Sequence, residues 1–103
     1  PWQVGVEGGN SSIQLRSGGV ATSGDTYRFL QHGSVRYSHL LHPQTGWAVA
    51  HVPASITVTA ASCVEAGVLS SLALLKAGCA ASHPADAAKD FLAAQGADFY
   101  IQA

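Results

Sequence analysis

Charge is what this chain has least of. Asp, Glu, Lys and Arg together make up 11% of its 103 residues, against about a quarter in ordinary soluble domains. The shortfall predicts that part of the surface is covered by a partner or by further chain. The formal net charge is −1 with no cluster of basic residues, which excludes the electrostatic footprint of nucleic-acid binding and of attachment to an anionic membrane. No apolar run approaches the roughly 18 residues of a membrane span, and no secretory leader is visible. The compartment is therefore unwritten in these residues. Methionine is absent altogether, even at position 1, which fits chain lost upstream or a removed tag. Cysteine is scarce too. Cys63 and Cys79 flank the strongest helix pattern, and a helix of about 15 residues is some 22 Å long. Bridged cysteines need Cα atoms within about 7 Å of each other. They are expected to be free, small, buried thiols.

What is present suits one modest core. The apolar fraction is 48%, and a chain of this length is one domain, 1–103, burying roughly 60–65% of its unfolded surface. Trp2–Val6 and Ile13–Arg16 alternate apolar and polar residues around the turn-rich Gly8–Ser12, predicting a hairpin. A short apolar segment, Val20–Thr22, ends in Ser23–Gly24–Asp25. Thr26–Gln31 and Ser34–Leu41 read as a second hairpin about His32–Gly33. His42–Pro43–Gln44–Thr45–Gly46 reads as a β-turn, followed by an irregular Trp47–Val52. Ser55–Ala60 (SITVTA) is the clearest strand, being rich in β-branched residues. Ser62 predicts an N-cap with Glu65 three residues on. Val64, Val68, Leu72 and Leu75 then recur at helical spacing, with Gly78 at the expected C-terminal cap. A second helix is expected over about Pro84–Gln95, capped by Ser82 and closed by Gly96, and Phe99–Ile101 makes a final strand. Hairpins plus one strand–helix–helix–strand unit define an α+β class.

His32, His39, His42 and His51 are close in sequence, but His39 and His42 are three apart, so on a strand they face opposite ways. No cysteine or carboxylate joins them at a zinc-ligand interval. Ser38 and His39 with Asp25 could suggest a hydrolytic triad, yet neighbours on a strand face apart and no Gly-x-Ser-x-Gly elbow is present. Gly5, Gly8 and Gly9 do not open a helix, so a dinucleotide fingerprint fails on context. Residue patterns alone thus reach an α+β domain with a polar hairpin.

Motifs in order reach further. Ala21–Asp25 (ATSGD), Arg36–Gly46 (RYSHLLHPQTG), Ser55–Val58 and Ala66–Leu72 resemble the carboxy-terminal signature of the ApbE-type FAD:protein FMN transferases. The resemblance extends over nearly all of Trp2–Ile101. It implies part of the ApbE-like fold, with FAD and magnesium as cofactors. The activity implied is cleavage of FAD and attachment of its FMN half, through a phosphoester, to a threonine or serine of a target protein. In such phosphoryl-type transfer, positioning and charge neutralisation carry most of the catalysis, and a hard cation on the pyrophosphate oxygens supplies the neutralisation.

By the same resemblance His39 is the candidate base or charge stabiliser, and Asp25 orders the loop. Ser23, Gly24, Arg36 and Ser38 are candidate cofactor-binding residues. The family's helix supplies two metal ligands, an aspartate and a threonine four residues later, which share a helical face. Here the threonine position is Ser71 and the aspartate position is Gly67, so the metal site is expected to be impaired. Glu65 does not substitute, because two residues back is a rotation of about 200°. His42 stands where the family has aspartate before proline. The family's FAD-binding residues lie mostly upstream, so a missing amino-terminal portion or another chain is the expected partner, beside a flavinylated target protein. Family members commonly work outside the cytoplasm as lipoproteins. The chain by itself is expected to be inactive; the alternative is a degenerate binding or interaction domain.

Overall fold

The computed structural model describes residues 2–5, 12–24, 29–33, 35–80 and 82–102, with Phe29, Leu30 and Arg36 described by their backbone only. Along these residues the elements are β1 (Trp2–Gly5), β2 (Ser12–Leu15), β3 (Gly19–Gly24), β4 (Phe29–His32), β5 (Val35–Leu41), β6 (Ala48–Ala50) and β7 (Ser55–Ala60). They continue with α1 (Cys63–Cys79), α2 (Pro84–Ala94) and β8 (Asp98–Gln102). The strands form an antiparallel β1–β2 hairpin and two three-stranded antiparallel sheets, ordered β3–β7–β8 and β4–β5–β6. This is the expected α+β arrangement, with β7–α1–α2–β8 as the strand–helix–helix–strand unit.

β7 is the middle strand of its sheet, and Ser55, Ile56, Thr57 and Val58 are all buried. Being covered on both faces explains why its β-branched run was so legible. Ile56 and Val58 join Ala73, Leu74 and Ala77 of α1 and Ala88 and Leu92 of α2 in one core cluster. Burying a side chain the size of Leu74 or Leu92 contributes about 1.5–3 kcal/mol.

The face α1 buries is not the one its larger residues suggest. Ala66, Ser70, Ala73, Leu74 and Ala77 face inward, whereas Val64, Val68 and Leu72 are exposed at 79%, 52% and 41%. Small inward residues let the helix lie close on the sheet, and the larger apolar side chains are left outside. Gly78 follows the same logic. It is inside the helix, not at its C-cap, which is Ala80. A Cβ on Gly78 would stand 2.4 Å from Val49 Cβ, so glycine is needed there for contact between α1 and β6.

Other local expectations are also corrected. Ser82 does not cap α2; His83 does, at φ 53° and without a side-chain hydrogen bond, with Pro84 opening the helix. The missing side-chain cap is offset only by the backbone: Asp86 N–H and Ala87 N–H donate to His83 C=O. Trp47–Val52 is not wholly irregular, since β6 pairs with β5 through Leu41↔Ala48 and Tyr37↔Ala50 across a bulge. The turn before it is wider than a four-residue β-turn: Gly46 N–H donates to His42 C=O at 2.9 Å. Both cysteines are free and exposed, not buried, because they sit at the two ends of α1. Two further signals hold, while Val6, Gly8–Ser11, Thr26–Arg28 and Ser34 lie outside the described residues. Ser62 caps α1 by accepting from Glu65 N–H at 3.1 Å, and Gly96, at φ 70°, follows the end of α2.

Candidate functional site

β3 and α1 run side by side, and their meeting point is a set of hydroxyls. Ser23 near the end of β3 reaches Ser70 Oγ at 2.9 Å and Ser71 Oγ at 3.2 Å. Ser70 Oγ in turn donates to Gly67 C=O at 3.1 Å. Strand geometry brings this about. β3 pairs with β7 in the register Ser23↔Ile56, and alternation along the strand turns Ser23 to the helix-bearing face. Ser70 is buried on the inward face of α1, while Ser71, one residue on, is exposed. One strand residue therefore bridges a buried and an open hydroxyl.

On the opposite face of the sheet, Thr22 Oγ1 and Thr57 Oγ1 bond at 2.8 Å across the β3–β7 pair. Gly24 closes β3 against backbone: an added Cβ would lie 2.4 Å from Ala54 C=O. Any side chain there would push the strand end away from β7. The short Ser23–Gly24 sequence thus combines a hydroxyl aimed at α1 with close strand contact.

The structure bonds two of the expected residues, Ser23 and Ser71, to each other. Ser38 and His39 lie on β5, in the other three-stranded sheet. Ser38 is buried and accepts from Leu40 N–H at 3.2 Å, whereas His39 is exposed on the opposite face of the strand. Arg36 is on β5 by its backbone, and Asp25 lies outside the described residues. His42 Nδ1 accepts from Gln44 N–H at 3.1 Å, a local role within its turn. Ser70 was missed by sequence reasoning. Its only advance signal was its place four residues after Ala66, on the small-residue face of α1.

Whether these residues suit a magnesium ion is decided by their donors. Mg²⁺ prefers near-octahedral oxygen ligands at about 2.0–2.1 Å, usually including one or two carboxylates. The corner offers neutral hydroxyls. Glu65 is the single acidic residue of α1, and its backbone is engaged at the helix start, six residues before Ser71. Gly67 brings no oxygen from a side chain, although a Cβ there would meet nothing within 4 Å. Among the described residues no three His, Cys, Asp or Glu side chains gather as a metal-holding group. The described donor set does not fit the ion.

A cavity of about 860 Å³ opens elsewhere, between β2 and the β7–β8 edge, lined in part by Gln14, Arg16, Thr59, Asp98 and Tyr100. Register places it near Ala60, the partner of Gly19, at the other end of β7 from the residue facing Ser23. It is therefore separate from the hydroxyl cluster. No described helix is long and apolar enough to cross a membrane.

Fold and motif order together define a class: an α+β scaffold of antiparallel sheets whose β3–α1 corner carries the flavin-transferase signature residues. Comparison with known proteins makes the assignment specific. The model of the ApbE family matches residues 1–92, and the chain belongs to that family. It is 33% identical over 78 residues to the FAD:protein FMN transferase of Haemophilus influenzae, covering 68% of this chain and 22% of that protein. It is 29% identical over 73 residues to that of Escherichia coli K12, covering 64% of this chain and 21% of that protein. Among solved structures, the apo flavinyl transferase ApbE of Pseudomonas stutzeri superimposes with a TM-score of 0.78 at 26% identity, covering 98% of this chain and 30% of that one. The ApbE protein of Thermotoga maritima gives 0.71 at 35% identity, covering 98% and 33%. The chain thus spans about a fifth of the length of the curated relatives it matches.

Proposed function

We propose that this chain forms the carboxy-terminal wall of a flavin-transfer site, acting in transfer of FMN from FAD to a threonine or serine of a target protein. The observation that carries the reading is the joining of Ser23 to Ser71 across the β3–α1 corner, within a chain that matches the family over residues 1–92. In the reaction, the target hydroxyl oxygen forms a bond to the FMN phosphorus as the pyrophosphate P–O bond breaks, and AMP leaves. The hydroxyl proton passes to a base, and His39 is the candidate for that role or for stabilising the charge that develops. Ser23, Gly24, Arg36 and Ser38 are assigned to holding the dinucleotide, and Asp25 to ordering the loop that follows β3. Most of the flavin contacts are assigned to an amino-terminal portion or a partner chain.

A second reading is favoured by one specific observation. The described corner is uncharged, with Gly67 in the position of the family's aspartate, and this suits a degenerate, non-catalytic binding or interaction domain. A chimera separates the two. The matching segment of the Thermotoga maritima ApbE protein is replaced by residues 1–103, and FAD binding and FMN transfer to a threonine peptide are measured separately. The first reading expects both binding and transfer, with transfer lost in His39→Ala. Binding without transfer would select the degenerate domain. No binding by a folded chimera would overturn both.

A further inference from the structure

We infer that the β3–α1 corner of this chain is a cation-free clasp: three serine hydroxyls close on one another where the family reading expects a divalent ion. The inference rests on that reading for the expectation of an ion, and on the geometry for its replacement. Protons decide the arrangement. A serine hydroxyl has a single hydrogen to donate, and that of Ser70 goes to Gly67 C=O at 3.1 Å. The Ser23–Ser70 contact of 2.9 Å must then be made by the hydrogen of Ser23. With that hydrogen committed, the 3.2 Å Ser23–Ser71 contact is made by the hydrogen of Ser71. The order is Ser71 to Ser23 to Ser70 to the Gly67 carbonyl, and every hydroxyl hydrogen is satisfied within the corner.

Such a chain needs no ion to hold strand and helix together. It links Ser23 to positions 67, 70 and 71 through neutral hydrogen bonds, while a dication would be left with hydroxyl lone pairs and no described carboxylate. Among the described residues, charge is the missing element, not room. A Cβ at Gly67 meets nothing within 4 Å, so the space for a carboxylate is open. The side chain alone is absent.

The test uses Mn²⁺ as a paramagnetic probe, read by electron paramagnetic resonance on the intact chain, which needs neither FAD nor a target. The expected result is no saturable one-site binding below millimolar Mn²⁺ by the wild-type chain. Gly67→Asp is expected to gain a single site at least tenfold tighter, and adding Ser71→Ala is expected to weaken that site at least tenfold. Circular dichroism checks that each variant is folded. One-site wild-type binding that is lost in Ser71→Ala or in Asp25→Asn would overturn the inference. A folded Gly67→Asp chain that remains silent would also overturn it, because position 67 would not be what keeps the ion out. Since the readout is metal binding and not flavin transfer, either outcome leaves the proposed activity to be decided by the chimera.

Discussion

The same substitution at two positions of α1 should change stability in opposite directions. Gly67→Ala places a methyl where nothing lies within 4 Å. It should therefore collect most of the helix-interior preference of alanine over glycine, about 0.5–1 kcal/mol. Gly78→Ala is on the same helix, but its methyl would lie 2.4 Å from Val49 Cβ and 2.7 Å from Val49 Cγ2. Val49 is itself 4% exposed, so it cannot swing away at low cost. Overpacking of a core costs about 1–3 kcal/mol, and Gly78 is in the last turn, where the propensity gain is smaller. The net expectation is a loss of about 1–2 kcal/mol. For a domain of about 100 residues each kcal/mol moves the melting temperature by roughly 4–8 °C. Gly67→Ala should therefore raise it by about 2–8 °C and Gly78→Ala lower it by about 4–16 °C, read by circular dichroism at 222 nm. A double-mutant cycle with Val49→Ala isolates the contact, with a coupling of about 1–2 kcal/mol expected for touching residues. Equal stabilisation by both substitutions would refute the close packing of α1 on β6.

Leu74→Ala, at a fully buried position in the core cluster, should cost about 2–5 kcal/mol in urea denaturation; a cost under 1 kcal/mol would mean the α1–β7 core is wrongly placed. Ser62→Ala removes the acceptor of Glu65 N–H and should cost about 1 kcal/mol, checked by the same titration. Ser70→Ala deletes the buried middle of the hydroxyl chain and should cost about 1 kcal/mol. A neutral result would count against the hydrogen-bonded order from Ser71 to Gly67.

Signals that act locally were legible in the sequence. β-branched SITVTA, Ser62 three residues before Glu65, Gly33 between two β-rich runs and Gly96 after a helical pattern each impose their conformation through neighbours a few residues away. Residues whose role depends on distant contacts were misread. Val64, Val68 and Leu72 have the spacing of a core face, but close approach of α1 to β3 and β7 required the alanine and serine face instead. Gly78 looks like a helix stop until Val49 is beside it, from twenty-nine positions earlier in the chain. β6, within an apparently irregular segment, was likewise decided by tertiary pairing with β5, whereas the α2 cap falls at His83, directly before Pro84, and not at Ser82. At the candidate site, motif order named Ser23 and Ser71, and only the fold showed them bonded through a shared corner with Ser70. His39 stands exposed on β5, in the other three-stranded sheet.

The most direct measurement is covalent flavin transfer by the chain as it stands. Residues 1–103 are incubated with FAD, MgCl₂ and a threonine-containing target, and the target is read by in-gel flavin fluorescence and mass spectrometry. No FMN adduct is expected, because the proposed function assigns most dinucleotide contacts to an amino-terminal portion or a partner chain, and the chain covers 22% of its Haemophilus influenzae relative. A target heavier by one FMN phosphoester would contradict it.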